Sequence, residues 1–200
     1  EKMCGAIGLQ DSEAQLEHAA RSGDVEGVMM IIDSPGGAVT MVPEVAAKIR
    51  DFEKPIMSYV EGDCASAAYW LACSQPIYAL GSGSVGSIGV YLTIYDQSAA
   101  YEMNGIRTIQ VTTGPVKGMG VPGTEITEAQ IEFLRSEVVE PTANQFFKAV
   151  TEARGVGDDL MDGRFWDGHT AEAIGLIDAV GTFDDALNEL YEMINQTTGE

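Results

Sequence analysis

The stretch Gly27-Val-Met-Met-Ile-Ile-Asp-Ser-Pro-Gly-Gly37 decides the fold. Its first part, through Asp33, is a short, continuous apolar run, the pattern of a strand buried on both faces. Ser34-Pro-Gly-Gly37 then breaks the run with turn residues. Downstream, Val42, Val45, Ala46, Ile49 and Phe52 recur at helical spacing. Pro55 to Val60 reads as a second strand and Glu61-Gly-Asp63 as a turn. Ala65 to Cys73, rich in Ala, Trp and Leu, reads as a buried helix. Pro76 to Leu80, Ile88 to Ile94 and Ile106 to Thr112 are strand-like, and Asp96 to Asn104 is helical with Gly105 at its C-terminal cap. Strands and helices alternate, which predicts an α/β fold with largely parallel pairing.

Outside this alternation the pattern is helical. Ser12 with Gln15 reads as a capping box opening a helix that Gly23 stops, with Leu16, Ala19 and Ala20 on one face. Thr127 with Gln130 reads as another box. Ile131, Leu134 and Val138 share a face after it, and Pro141 should kink the chain beyond. Thr170 starts a short helix ended by Gly175, and Thr182 caps a last amphipathic helix through Leu187, Leu190, Tyr191 and Ile194. The expected organisation is one domain over residues 1–200, with 127–200 mainly helical.

The chain has 200 residues, 45% of them hydrophobic, enough to bury a core without staples. Acidic residues outnumber basic ones 31 to 11, a formal net charge of −20. Such a surface repels phosphate backbones, and no basic patch offsets it, so nucleic acid is not an expected partner. Two histidines argue against a multi-histidine metal site, and no metal or cofactor is expected. Three cysteines, Cys4, Cys64 and Cys73, show no paired spacing, which fits a reducing compartment. No segment is long and apolar enough to span a bilayer. A cytoplasmic location is expected. The first residue is Glu1 and not Met, which leaves room for a removed N-terminal anchor.

The charges are unevenly spread. There are none between Asp33 and Glu44, none between Asp63 and Asp96, and only Lys117 between Arg107 and Glu125. Buried strands explain part of this. They do not explain Thr113-Gly-Pro-Val-Lys-Gly-Met-Gly120, since Gly- and Pro-rich loops ordinarily carry charged neighbours. A solitary lysine there is a candidate buried amine, because burial disfavours the ammonium. To serve as a base near neutrality its pKa must fall about three units from roughly 10.4, which costs about 4 kcal/mol.

Ser66 lies where a turn enters an apolar helix, in Asp63-Cys-Ala-Ser-Ala-Ala-Tyr-Trp70. Free backbone amides at a helix start suit an oxyanion. The small side chain of Ala67 leaves its own amide reachable, and Gly36-Gly37 offers a second set. Neither histidine has a setting like that of Lys117: His18 belongs to a surface helix and His169 to a turn. A Ser–Lys dyad is therefore preferred over a Ser–His–Asp triad. Cys64 lacks a histidine partner and reads as packing.

These segments resemble the signal peptide peptidase A family of serine peptidases, which share the ClpP/crotonase-like fold. The matching pieces are Ile32-Asp-Ser-Pro-Gly-Gly37, Ala65-Ser-Ala-Ala-Tyr69, Val85-Gly-Ser-Ile-Gly-Val90, Gly114-Pro-Val-Lys117, and Gly163-Arg-Phe-Trp-Asp-Gly168 through Ala173-Ile-Gly-Leu-Ile-Asp178. The resemblance implies an endopeptidase acting on a protein or peptide, with Ser66 as nucleophile and Lys117 as general base. Oxyanion donors would come from Gly36 or Gly37 with Ala67, and Ser87 would orient the amine. It also implies a homo-oligomeric ring whose neighbours help complete the substrate channel. Ser66-Ala-Ala-Tyr-Trp70 replaces the Ser-Gly-Gly-Tyr usual in the signal-peptide-degrading branch, and looks closer to phage and prophage capsid-maturation proteases.

Three other readings compete. Gly81-Ser-Gly-Ser-Val-Gly86 matches the dinucleotide-binding G-x-G-x-x-G, with Glu102 about where a ribose-binding acid would lie. The residues after Gly86 are β-branched and do not read as the helix such a site needs. A crotonase-type acyl-CoA enzyme would share the fold but leave Ser66 and Lys117 without a task. A non-catalytic assembly module is the third.

Overall fold

A computed structural model describes residues 8–199. In chain order the elements are α1 (Leu9–Arg21), β1 (Val28–Ser34), α2 (Val42–Arg50), β2 (Ile56–Ala65), α3 (Ala67–Ala72), β3 (Ile77–Ala79), β4 (Ser84–Gly86), α4 (Ser98–Met103), α5 (Glu128–Leu134), α6 (Glu140–Arg154), β5 (Phe165–Asp167), α7 (Gly168–Ala173), β6 (Ala179–Val180) and α8 (Phe183–Thr198). A π-helical turn, Arg135–Val139, runs directly into α6 and ends just before Pro141, whose missing N–H interrupts the regular ladder.

β2 is the axis of the sheet. β1 pairs with it in parallel, Val28 opposite Ile56 through Ile32 opposite Val60. On its other side β3 pairs with Ser58–Val60 and β4 with Asp63–Ala65, both parallel. β6 adds in parallel outside β3, and β5 adds antiparallel outside β4. The first five residues of β2 are buried, as a strand covered on both faces requires. The fold is α/β with largely parallel pairing, as expected. The predicted turn at Glu61-Gly-Asp63 is instead part of β2, because β4 supplies a ladder for Asp63 to Ala65.

Chain contacts divide the protein into two units, 1–89 with 145–200, and 90–144. The first holds the sheet and the core. Val42, Val45, Ala46 and Ile49 are buried on α2, as their spacing predicts. Trp70 stacks on Phe146 with ring centroids 4.8 Å apart. The Tyr69 hydroxyl donates to the Leu176 carbonyl at 2.8 Å. Arg154 has a nearly buried side chain. Its Nε donates to the Cys73 carbonyl at 2.8 Å, another guanidinium N–H donates to the Gln75 carbonyl, and Nη1 meets Asp178 Oδ2 at 2.8 Å. The same carboxylate oxygen accepts from the Ile77 amide at 2.7 Å. One cation thus ties the end of α3, the start of β3 and the approach to β6.

The second unit is built differently. Of residues 90–144 only Ala143 is buried. Local polar ties hold it. Asp96 accepts from the Ser98 and Ile126 amides at 2.8 and 2.9 Å, and hydrogen bonds from Ser98 and Ile126 hold its carboxyl below the usual range. Gln110 Nε2 donates to the Gly118 carbonyl at 2.7 Å. The predicted strands Ile88–Ile94 and Ile106–Thr112 do not form. Strands exist as pairs, and among the described residues neither segment has a strand neighbour.

Helix starts are mostly legible. The boxes at Thr127 with Gln130 and Thr182 with Asp185 are present. α1, however, starts at Leu9 with Gly8 as its cap, not at Ser12, and the Gly8 amide donates to Asp11 Oδ2 at 3.1 Å. α7 is capped by Asp167, which accepts from the Thr170 amide at 3.0 Å, rather than by Thr170 itself. Cys64 and Cys73 are free, buried thiols, and Cys4 lies outside the described residues. Among the described residues no helix is long and apolar enough to cross a membrane.

Arg154→Met removes three donors and leaves the Cys73 and Gln75 carbonyls without their partner. Unfolding in urea should show a loss of about 3 kcal/mol. A loss under about 0.5 kcal/mol would show that the guanidinium contributes only as a surface charge.

Candidate active site

β2 delivers its last residue, Ala65, directly to Ser66, and α3 begins one residue later. The turn is sharp: Ser66 has φ +54° and ψ −123°, a conformation L-residues avoid. Such a backbone costs about 1–3 kcal/mol and persists only where its surroundings over-determine it. Here they do. The Ser66 amide donates to the Gly86 carbonyl at 2.8 Å, and the Ser66 carbonyl accepts from Trp70 at 3.0 Å in the first turn of α3. Ala67, Ala68, Tyr69, Trp70 and Ala72 are all buried and fix that helix.

Gly36 abuts the turn from the β1 side. A Cβ there would lie 2.7 Å from the Ala65 carbonyl oxygen, 2.8 Å from Ser66 Cβ and 2.9 Å from the Ala67 amide nitrogen. Its φ of +91° is likewise a glycine conformation. No larger residue fits, and the glycine loop is thereby seated against the Ser66 turn. The Gly36 N–H is already used: it donates to Ser34 Oγ at 3.2 Å. Gly37 stands beside it with nothing within 4 Å of where its side chain would begin. The Ala67 amide belongs to the first turn of α3, whose N–H groups have no intrahelical acceptor.

A second layer holds the first. Gly86 packs so closely on the Trp166 ring that a Cβ would lie 2.9 Å from it. The antiparallel pairing of β4 with β5 sets Val85 opposite Trp166 and Gly86 opposite Phe165. Ser87, also strained at φ +51°, donates its amide to the Arg164 carbonyl at 2.7 Å. The Gly163-Arg-Phe-Trp-Asp-Gly168 segment therefore braces the loop whose Gly86 carbonyl holds Ser66. From sequence alone Trp166 reads as packing only. The signal for its bracing role is a glycine-rich strand, Gly83-Ser-Val-Gly86, where close approach of a neighbour is the reason for glycine.

Ser66, Ala67, Gly36 and Gly37 thus meet in one unit, with Ser87 joined to them through Gly86. Lys117 lies in the other unit, in the turn region after Gly114, and its amide donates to the Gly114 carbonyl at 3.2 Å. Its side chain is exposed. The expectation of a buried amine fails for the single chain: a run without charges is not thereby a run without water. Both histidines are exposed, and His169 sits in the first turn of α7, not in a turn before it. Cys64 is fully buried two residues before Ser66, and burial pushes its thiol far above the ordinary range, so it is no rival nucleophile. The G-x-G-x-x-G motif contains strand β4 and opens no helix, which removes the dinucleotide reading.

The sequence pattern of peptidase family S49 matches residues 48–197. The chain belongs to this family. An S49 relative in Enterococcus faecium, named as a candidate signal peptide peptidase SppA, is 30% identical over 95% of this chain and 60% of its own length. Capsid assembly protease C of Escherichia phage lambda is 23% identical over 96% of this chain and 45% of its own. The chain thus spans three-fifths or less of these relatives. An enoyl-CoA hydratase from Shewanella pealeana superposes with a TM-score of 0.57 at 12% identity, over 92% of this chain and 62% of that one. That likeness shows the ClpP/crotonase-like fold.

Gly36→Ala tests the seating of the loop. The added methyl meets backbone atoms that cannot yield, so the loop must move. Labelling of Ser66 by a serine-directed fluorophosphonate should slow at least tenfold, on the scale of one lost oxyanion donor at about 3 kcal/mol. An unchanged labelling rate in the folded variant would contradict the contact.

Proposed function

We propose that the protein is a serine endopeptidase in which Ser66 and Lys117 act as a dyad. The observation that carries this reading is the strained Ser66, held at the mouth of α3 with glycine-loop amides beside it. The S49 membership supports the same chemistry. Lys117 takes the Ser66 proton as the oxygen attacks the peptide carbonyl. The oxyanion is received by the amides of Ala67 and Gly37, Gly36 having spent its N–H on Ser34. Lys117 then protonates the leaving amine, and water hydrolyses the acyl-enzyme. Ser87 orients the amine.

The two units act as parts of one peptidase domain, and a ring of copies completes it. Support comes from the second unit. Tyr91, Met103, Ile109 and Val111 are largely exposed there, with Val111 at 96%. A segment with one buried residue is not stabilised by its own core. A neighbouring copy that covers these side chains would also remove water from Lys117, which the single chain leaves exposed.

The substrate is an unfolded or extended protein segment. The 30% identity to the Enterococcus faecium protein favours membrane-leader peptides. The phage lambda relative carries the second reading, trimming of capsid-assembly proteins. A cytoplasmic place of action belongs to the same proposal.

The deciding experiment is fluorophosphonate labelling with mapping of the labelled peptide, alongside turnover of a leader peptide and of a capsid-scaffold segment. Label on Ser66, with Ser66→Ala and Lys117→Ala each losing at least about 10³-fold in kcat while melting as the parent does, is expected. Turnover by Lys117→Ala at the parent rate would remove the dyad. Sedimentation should show a multimer that Val111→Asp disperses, with activity falling as it does. A fully active monomer would end the ring.

A further inference from the structure

We propose that Asp33 is a positioning residue, which fastens the strand end carrying Gly36 and Gly37 to the strand that ends in Ser66. The proposal rests on Ser66 being the nucleophile. β1 and β2 keep register from Val28 to Ile32, which faces Val60. Two residues later Ser34 faces Cys64, so β2 has taken in two extra residues. A bulge of this kind deprives backbone groups of their ladder partners. Asp33 repairs the loss, since its Oδ1 accepts from the Asp63 amide at 3.0 Å. On its other side Asp63 stays in register with Ser84 of β4.

Gly62 records the same contact independently. A Cβ at 62 would lie 2.2 Å from Asp33 Oδ1 and 2.6 Å from Asp33 Cγ. The carboxylate therefore occupies the space that any other residue at 62 would need. Beyond the clamp, Ser34 opposite Cys64 is the last ladder pair of β1 with β2. The chain then runs on from Ser34, whose Oγ holds the Gly36 amide, to Gly36 against Ala67. Oxyanion donors act within a few tenths of an ångström, and displacement of about 1 Å can cost about 10² in rate. Loosening the strand end loosens the donors.

The carboxylate works here as an acceptor and not as a charge. Asparagine at 33 keeps the acceptor oxygen, whereas alanine removes it. Asp33 is exposed, so neither change opens a core cavity. Purified full-length chains should be compared for turnover of one peptide, rate of fluorophosphonate labelling and hydrogen exchange of the 61–65 backbone. Asp33→Ala should lose about 10- to 100-fold in kcat with KM within about twofold. Its 61–65 amides should exchange faster, and its melting temperature should stay near the parent's. Asp33→Asn should stay within about threefold of the parent in kcat and keep the protection.

Parent-like kcat and exchange in Asp33→Ala, on an enzyme whose Ser66 takes the label, overturn the role of Asp33 alone. Equal losses in both variants, tracking melting temperature, overturn it too, because they show a general structural effect. A parent enzyme that takes no label at Ser66 overturns the nucleophile assignment, and the positioning role with it.

Discussion

The backbone at Ser66 is the constraint on which the rest of this structure depends. A serine at positive φ between a strand and a helix is unfavourable by itself, by about 1–3 kcal/mol. It survives because its amide is held by Gly86 and its following helix is buried on nearly every residue. Gly86 is in turn pressed on Trp166, and the next amide, that of Ser87, is taken by Arg164. Three distant stretches of sequence thus converge on one torsion angle. Each contributes mainly backbone, which is why glycine recurs wherever they touch.

The parts legible in the sequence are those set by local physics. The apolar run Val28 to Ile32, the stripe on α2 and the boxes at Thr127 and Thr182 depend on neighbours within a few residues. Ser66 is legible for a similar reason, since a small-residue helix entry has a local signature. Three misreadings share one cause. Glu61-Gly-Asp63 has turn residues, yet continues as strand because β4 lies alongside. Ile106 to Thr112 has strand residues, yet is not strand because, among the described residues, no strand lies alongside. Lys117 has an uncharged neighbourhood in sequence and water around it in space. In each, the deciding partner is remote or outside the chain.

The G-x-G-x-x-G motif shows the same lesson in the other direction. Its glycines are real structural requirements, but for different purposes. Gly86 admits the Trp166 ring, and Gly81 lies against His169, where a Cβ would come within 2.5 Å of the imidazole. Close approach of the protein's own groups explains them, side chains at Gly81 and Gly86 and the Gly62 and Leu80 carbonyls, 3.1 Å from a Cβ, at Gly83. A motif of small residues specifies that something comes near without specifying what.

The two units differ in a way that bears on how the proposed chemistry is controlled. The Ser66 turn is fixed by a buried core and by hydrogen bonds that need no partner chain. The lysine belongs to a segment whose large apolar side chains face outward and whose internal ties are mostly polar and exposed. On the proposed reading, an oxyanion site is ready in every copy, whereas the base becomes dry only on association. A peptidase divided in this way keeps an isolated chain from hydrolysing its surroundings. It gains its base at the moment a channel exists to select what is cut.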